Sequence, residues 1–182
     1  MTHKPPPLPE DVAHQLERLL NYFKPNQADP TYMVLKAHLL MEEVMYEYLE
    51  STVARPEHLK DARLSFGQLL ALSKASHRFS SNDWWGWQAL QKLNSIRNDL
   101  AHQLEPAKLK QKIVDFTLWV STSITKSNKE IEAEYIRLGE AGVHPFALSL
   151  VALHVAITVT LGYGPEKRRA FLQRLENGNV QG

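Results

Sequence analysis

The chain has 182 residues, 43% of them hydrophobic and 23% charged, which is enough apolar material for one domain with a real core, or one domain with an extension. Its formal charge of +1 excludes a broad basic field, so any nucleic-acid site must be local. The lack of cysteine excludes a disulfide framework, a thiol nucleophile and a thiolate metal site. Met1-Thr2-His3-Lys4 lacks the apolar run of a secretory signal, and a cytoplasmic location is expected.

Residues 1–8 form a proline-rich tail, with Pro5-Pro6-Pro7-Leu8-Pro9 favouring an extended, polyproline-like leader. Glu10 to Lys24 places Val12, Leu16, Leu19, Leu20 and Phe23 on one helical face before Pro25 stops it. Asp29-Pro30 has the form of a capped helix start, and Tyr32 to Glu50 keeps Val34, Ala37, Met41, Val44, Met45 and Tyr48 together. His38 lies at the rim of that stripe with Glu42 one turn later. With no second ligand pair at metal spacing, it reads as a hydrogen-bonded structural histidine, and no metal site is expected.

Arg55-Pro56 breaks the chain, and one further helical pattern runs through Leu59, Ala62, Leu64, Phe66, Leu69, Leu70 and Leu72 towards Ala75. Ser76 to Asn82 reads as a connection. Trp84, Trp85 and Trp87 follow, separated by Gly86. Indoles can stack on unpaired bases, but at a helix end they more commonly supply buried area, and packing is the reading adopted. The helix beginning near Asp83 carries Leu90, Leu93, Ile96, Leu100 and Leu104 at three- and four-residue steps, until Glu105-Pro106 ends it.

Lys108 to Thr125 repeats the pattern with Leu109, Ile113, Phe116, Val120 and Ile124, and Ser127 to Gly139 adds Ile131, Tyr135 and Leu138 before Gly139 and Gly142 interrupt. Val143 to Leu161 is strongly apolar and touches the lower length limit of a membrane span. His144, His154 and Pro145 argue instead for a helix buried in a core or dimer seam, with no membrane partner. Gly162-Tyr163-Gly164-Pro165 is a turn, and Glu166 to Glu176 is expected to close the chain as an amphipathic helix. The fold class expected is all-α, an up-and-down helical bundle over 9–127 with a C-terminal helical extension over 128–182 packed on the bundle or at a dimer seam.

Polar chemistry is densest in the second half of the helix that starts near Asp83. At about 100° per residue, Asn94, Asn98 and His102 line one strip, Arg97 sits at the edge of the apolar stripe, and Asp99 is expected to point elsewhere. The plain explanation is local: an imidazole near a helix end is favoured by the carbonyl dipoles, and Arg97 can pair with a neighbouring acid.

Arg97-Asn98-Asp99-Leu100-Ala101-His102 also resembles the Arg-x4-6-His signature of the HEPN family, in which a polar residue commonly follows the arginine. The resemblance covers about Pro30 to Thr125. It implies a small helical bundle and a homodimer through the motif helix, whose paired motifs form one cleft. It further implies a metal-independent endoribonuclease with no cofactor, acting in a toxin, defence or stress setting, with a nucleotidyltransferase-like antitoxin as a possible partner. The wider family also holds non-catalytic interaction and regulatory proteins, which gives the alternative reading.

On that resemblance the catalytic residues are Arg97, Asn98 and His102, with Asn94 binding substrate. RNA cleavage requires that the ribose 2′-hydroxyl lose a proton and that the departing 5′-oxygen gain one. His102 titrates near neutrality and is suited to that work. Arg97 would neutralise the charge that builds on the phosphoryl oxygens, and Asn98 would orient the imidazole or the phosphate.

Overall fold

The computed structural model describes residues 29–77, 83–102, 106–127 and 129–162, with Leu19, Asn21 and Phe23 ahead of them. The elements are α1 (Pro30–Thr52), α2 (Glu57–Asp61), α3 (Phe66–Ser76), α4 (Trp85–His102), α5 (Pro106–Ser127), α6 (Lys129–Glu140) and α7 (Pro145–Ile157), which runs into a π-helical turn, Thr158–Gly162. The fold is an all-α helical bundle, and no strand occurs among the described residues. The proline-rich tail, most of the helix expected over 10–24, Leu104 and the helix expected over 166–176 lie outside the described residues.

The centre of the bundle is α7. Every residue from Phe146 to Ile157 is buried, and the helix packs against α1, α4, α5 and α6. A helix apolar on all sides has no face to offer water, so its neighbours must surround it. Each large aliphatic or aromatic side chain taken out of water there stabilises by about 1.5–3 kcal/mol.

The residues that argued against a membrane span have local roles in this helix. His144 is the N-cap, its Nδ1 accepting from the Phe146 amide at 3.2 Å, and Pro145 fills the first helical position, where a missing N–H is harmless. Ser149 donates to the Pro145 carbonyl at 3.0 Å. His154 Nδ1 lies 3.4 Å from the Thr158 hydroxyl, where the π-turn begins. No helix of the described residues is long and apolar enough to cross a membrane. One hydrophobic cluster joins Leu19 and Phe23 to residues of α1, α3, α4, α5, α6, α7 and Leu161, so the core passes residue 128 without a break.

The apolar stripe expected on α1 is buried at Val34, Ala37, Met41, Met45 and Tyr48, with Val44 half-buried. Asp29 caps this helix by accepting from the Thr31 amide at 3.0 Å. The single helical pattern expected from Leu59 to Ala75 is two helices. Arg63 has a φ of 44°, and Ser65 and Gln68 then form a capping box: the Gln68 amide donates to Ser65 Oγ at 3.4 Å, and the Ser65 amide donates to Gln68 Oε1 at 2.9 Å. Reciprocal capping outweighs the continuity of the apolar spacing.

Of the two glycines expected to end α6, Gly142 does so, at a φ of 82°, whereas Gly139 stays inside the last turn. The Gly142 amide donates to the Gly139 carbonyl at 3.0 Å and the Val143 amide to the Leu138 carbonyl at 3.2 Å, a Schellman ending that leads the chain into α7.

The tryptophans at the start of α4 pack rather than project. Trp87 is fully buried and Trp84 stands edge-on to it with ring centroids 5.0 Å apart. A Cβ at Gly86 would meet Trp84 ring carbons at 2.2–2.6 Å, so the pair requires glycine between its members. Gly86→Ala should therefore lower the urea midpoint and alter tryptophan fluorescence. Overpacking costs about 1–3 kcal/mol, while at this first-turn position alanine recovers less than the ~1 kcal/mol it gains over glycine in a helix interior. In the same assay Leu150→Ala should cost about 2–5 kcal/mol. An unchanged midpoint and emission spectrum for Gly86→Ala would refute the packing described.

Candidate functional site

The rotation of α4 about its own axis is fixed by burial of Leu90, Leu93 and Ile96 in the core. Its other side then faces outward: Gln91, Asn94, Ser95, Asn98 and Asp99 form one wall of an open groove of about 510 Å³, and Gly67, Leu70, Ala71 and Lys74 of α3 form the other. Asn94 and Asn98, read from the sequence as sharing a strip, do share this groove. Helical geometry continues the strip to His102, the last residue of α4, whose imidazole lies outside the described part of the structure.

Asp99, expected to point elsewhere, stands in the same wall. The groove-lining residues of α4 span an arc of roughly 140° at 100° per residue, and Asp99 occupies its far edge. Its carboxylate is paired with Lys112 of α5, and Lys112 also donates to Ser95 Oγ at 3.2 Å. A sequence signal for this pairing existed. The Glu105-Pro106 break makes α4 and α5 a hairpin, and residues about equally far from the break should meet. Asp99 meets Lys112, and Lys92 meets Trp119, its ammonium 5.2 Å from the ring centroid.

Asn94 sits at the inner edge of the groove, half-buried, and its Oδ1 accepts a hydrogen bond from His38 Nε2 at 3.2 Å. His38, read as a hydrogen-bonded structural residue, is 7% exposed and stacks on Phe66 with centroids 4.1 Å apart. Since Oδ1 carries no hydrogen, the ring is the donor, which leaves Nδ1 facing Glu42 Oε2 at 3.8 Å. The spacing of His38 and Glu42 revealed their contact, but nothing in it revealed a partner 56 residues away.

Burial pushes the pKa of His38 below its ordinary 6.5, and the charge of Arg97 acts in the same direction. The Asn94 bond and the Glu42 carboxylate oppose the shift without cancelling it.

Arg97 is half-buried, and its Nη1 donates to the exposed Asn98 Oδ1 at 3.4 Å. Arg97 and Asn98 are therefore in contact, while Asn94 is bound from behind by α1. The plain explanation of Arg97 was a pair with a neighbouring acid; among the described residues its hydrogen bond goes instead to an amide, Asn98 Oδ1. Among the described residues no group of three His, Asp or Glu side chains is placed to share a metal ion.

The lowered His38 pKa makes a prediction about stability. As pH falls below about 6.5 the unfolded chain takes up a proton at this ring before the native chain does, so native stability declines until the buried ring also protonates. His38→Gln keeps a donor for Asn94 but does not titrate. Urea midpoints measured between about pH 7.5 and 5 should fall less steeply in the variant than in the parent protein. Equal slopes would show that His38 is not held neutral.

Comparison with known proteins finds no matching family model, no matching curated protein and no matching solved structure.

Proposed function

We propose that this protein is a metal-independent endoribonuclease of HEPN type, which cleaves RNA by attack of the ribose 2′-hydroxyl on the adjacent phosphorus. The observation that carries the reading is the contact between Arg97 and the groove-facing Asn98 on a helix whose final residue is His102. His102 handles the proton, Arg97 stabilises the phosphoryl oxygens as charge builds, and Asn98 orients one or the other. The O2′–P bond forms as the P–O5′ bond breaks, giving a 2′,3′-cyclic phosphate and a 5′-hydroxyl. One imidazole serves one proton transfer at a time, which makes a homodimer bringing two motifs to one cleft chemically sensible. The setting is a toxin, defence or stress response in the cytoplasm, with a nucleotidyltransferase-like antitoxin as the expected partner.

A second reading has one observation in its favour. Asn94 is already committed to His38 within the same subunit, an arrangement that suits a fixed, non-catalytic binding surface of an interaction or regulatory protein.

Purified protein, Arg97→Ala and His102→Ala should be compared on total RNA in the presence of a chelator. The parent protein should cleave, leaving 2′,3′-cyclic phosphate ends, and each variant should be slower by about 10²–10⁴-fold. Equal cleavage by all three, or intact RNA in every lane, would remove the ribonuclease reading. In the latter case the second reading stands.

A further inference from the structure

The outward side of α1 carries what a solvated helix face should not. Its inner side, with Val34, Ala37, Met41 and Met45, is buried in the core. On the opposite side Tyr32, Leu35 and Leu39 are exposed, and Leu39, at 60%, is the most exposed large hydrophobic among the described residues. Glu43 and the half-buried Tyr46 continue the same strip, which spans an arc of roughly 80° at 100° per residue.

The order of this strip is symmetric. Tyr32, Leu35, Leu39, Glu43 and Tyr46 follow at steps of three, four, four and three residues, so the spacing reads the same from either end, with Leu39 at its middle. Such a face can pair with a copy of itself about a twofold axis, because each position meets its mirror position. An antiparallel copy centred on Leu39 sets Leu39 against Leu39 and Tyr32 against Tyr46, and brings Lys36 beside Glu43 on one flank.

Charge favours the same arrangement. Within α1, Lys36 lies in the N-terminal half, while Glu42, Glu43, Glu47 and Glu50 all lie in the C-terminal half. A helix dipole prefers the reverse, so this helix is charged against its own dipole. An antiparallel copy offsets that: its N-terminal half, with Lys36 and the positive dipole end, lies along the glutamates. A parallel copy would set glutamate against glutamate. The comparable apolar patch on α5, with Val114, Leu118 and Trp119, lacks this complementarity. Its polar neighbours are engaged within the chain, Lys92 over the Trp119 ring and Gln111 donating to Asp115 at 2.8 Å.

We propose that this protein self-associates through α1, two copies packing antiparallel about a twofold axis at Leu39, with Lys36 of each copy paired to Glu43 of the other. The homodimer of the ribonuclease reading is built on α4. This seam lies on another helix and does not rest on that reading. From Tyr32 to Tyr46 the strip is about 21 Å long. A two-helix seam of that length belongs to the small interfaces, under about 1,200 Å² in total, so association is weak, with a Kd on the order of 10 µM.

The chain has no cysteine, so a single introduced one reports the seam directly. Leu39→Cys and Leu118→Cys replace side chains of equal exposure, 60% and 59%, on different helices. Oxidised as full chains at about 50 µM, the first should form a disulfide-linked dimer at least roughly tenfold faster, because the seam raises the local thiol concentration. Sedimentation velocity should show dimer replacing monomer in the parent chain between about 1 and 200 µM. Leu39→Glu enters the interface twice and should raise Kd about a hundredfold, with helical circular dichroism unchanged, since this side chain is exposed in the monomer. Lys36→Glu should weaken the dimer roughly tenfold, and adding Glu43→Lys should restore most of it. A parent chain monomeric at about 200 µM, a dimer that persists in Leu39→Glu, equal cross-linking at positions 39 and 118, or no rescue by the second charge change would overturn the proposal. Neither method involves RNA, so each outcome stands whether or not cleavage is found.

Discussion

The structure depends on the complete burial of α7. A helix with no polar face can be stable in water only when other helices enclose it, and here α1, α4, α5 and α6 do so. That requirement sets which side of each neighbour faces inward. For α4 it turns Leu90, Leu93 and Ile96 to the core, and the amides, serine and carboxylate on the remaining arc have no direction left but outward. The polar wall that α4 gives to the groove is thus a consequence of core packing.

Burial also explains why the polar strip is held so firmly from behind. His38 is enclosed between Phe66 and α4, and an imidazole so placed needs a partner for its N–H. Asn94 provides it and is fixed in return, so α1 and α4 are joined by a hydrogen bond at the base of the groove. Lys112 acts similarly from α5, holding Ser95 and Asp99 together. Two neighbouring helices therefore determine how three groove-lining side chains are oriented, and a preoriented polar site loses little side-chain freedom when a ligand arrives.

Much of this was legible in the sequence, and the reason is periodicity. The stripes Val34–Ala37–Met41–Met45 and Phe116–Val120–Ile124 repeat at helical spacing and are buried as that spacing requires. Proline marked the helix start at Pro30 as expected, whereas Pro106, read as a stop, and Pro145, read only as an argument against a membrane span, also stand at the first position of helices. Capping was the finer signal: Ser65-Phe66-Gly67-Gln68 spells a capping box that divides an otherwise continuous apolar pattern, and the pattern alone conceals the division. The site was half legible. Asn94 and Asn98 share a face by simple rotation, but assigning Asp99 to another face treated the groove as a narrow line when it subtends a wide arc. The His38–Asn94 bond is a tertiary fact with no local signature, since the pairing of α1 with α4 is decided by how both enclose α7.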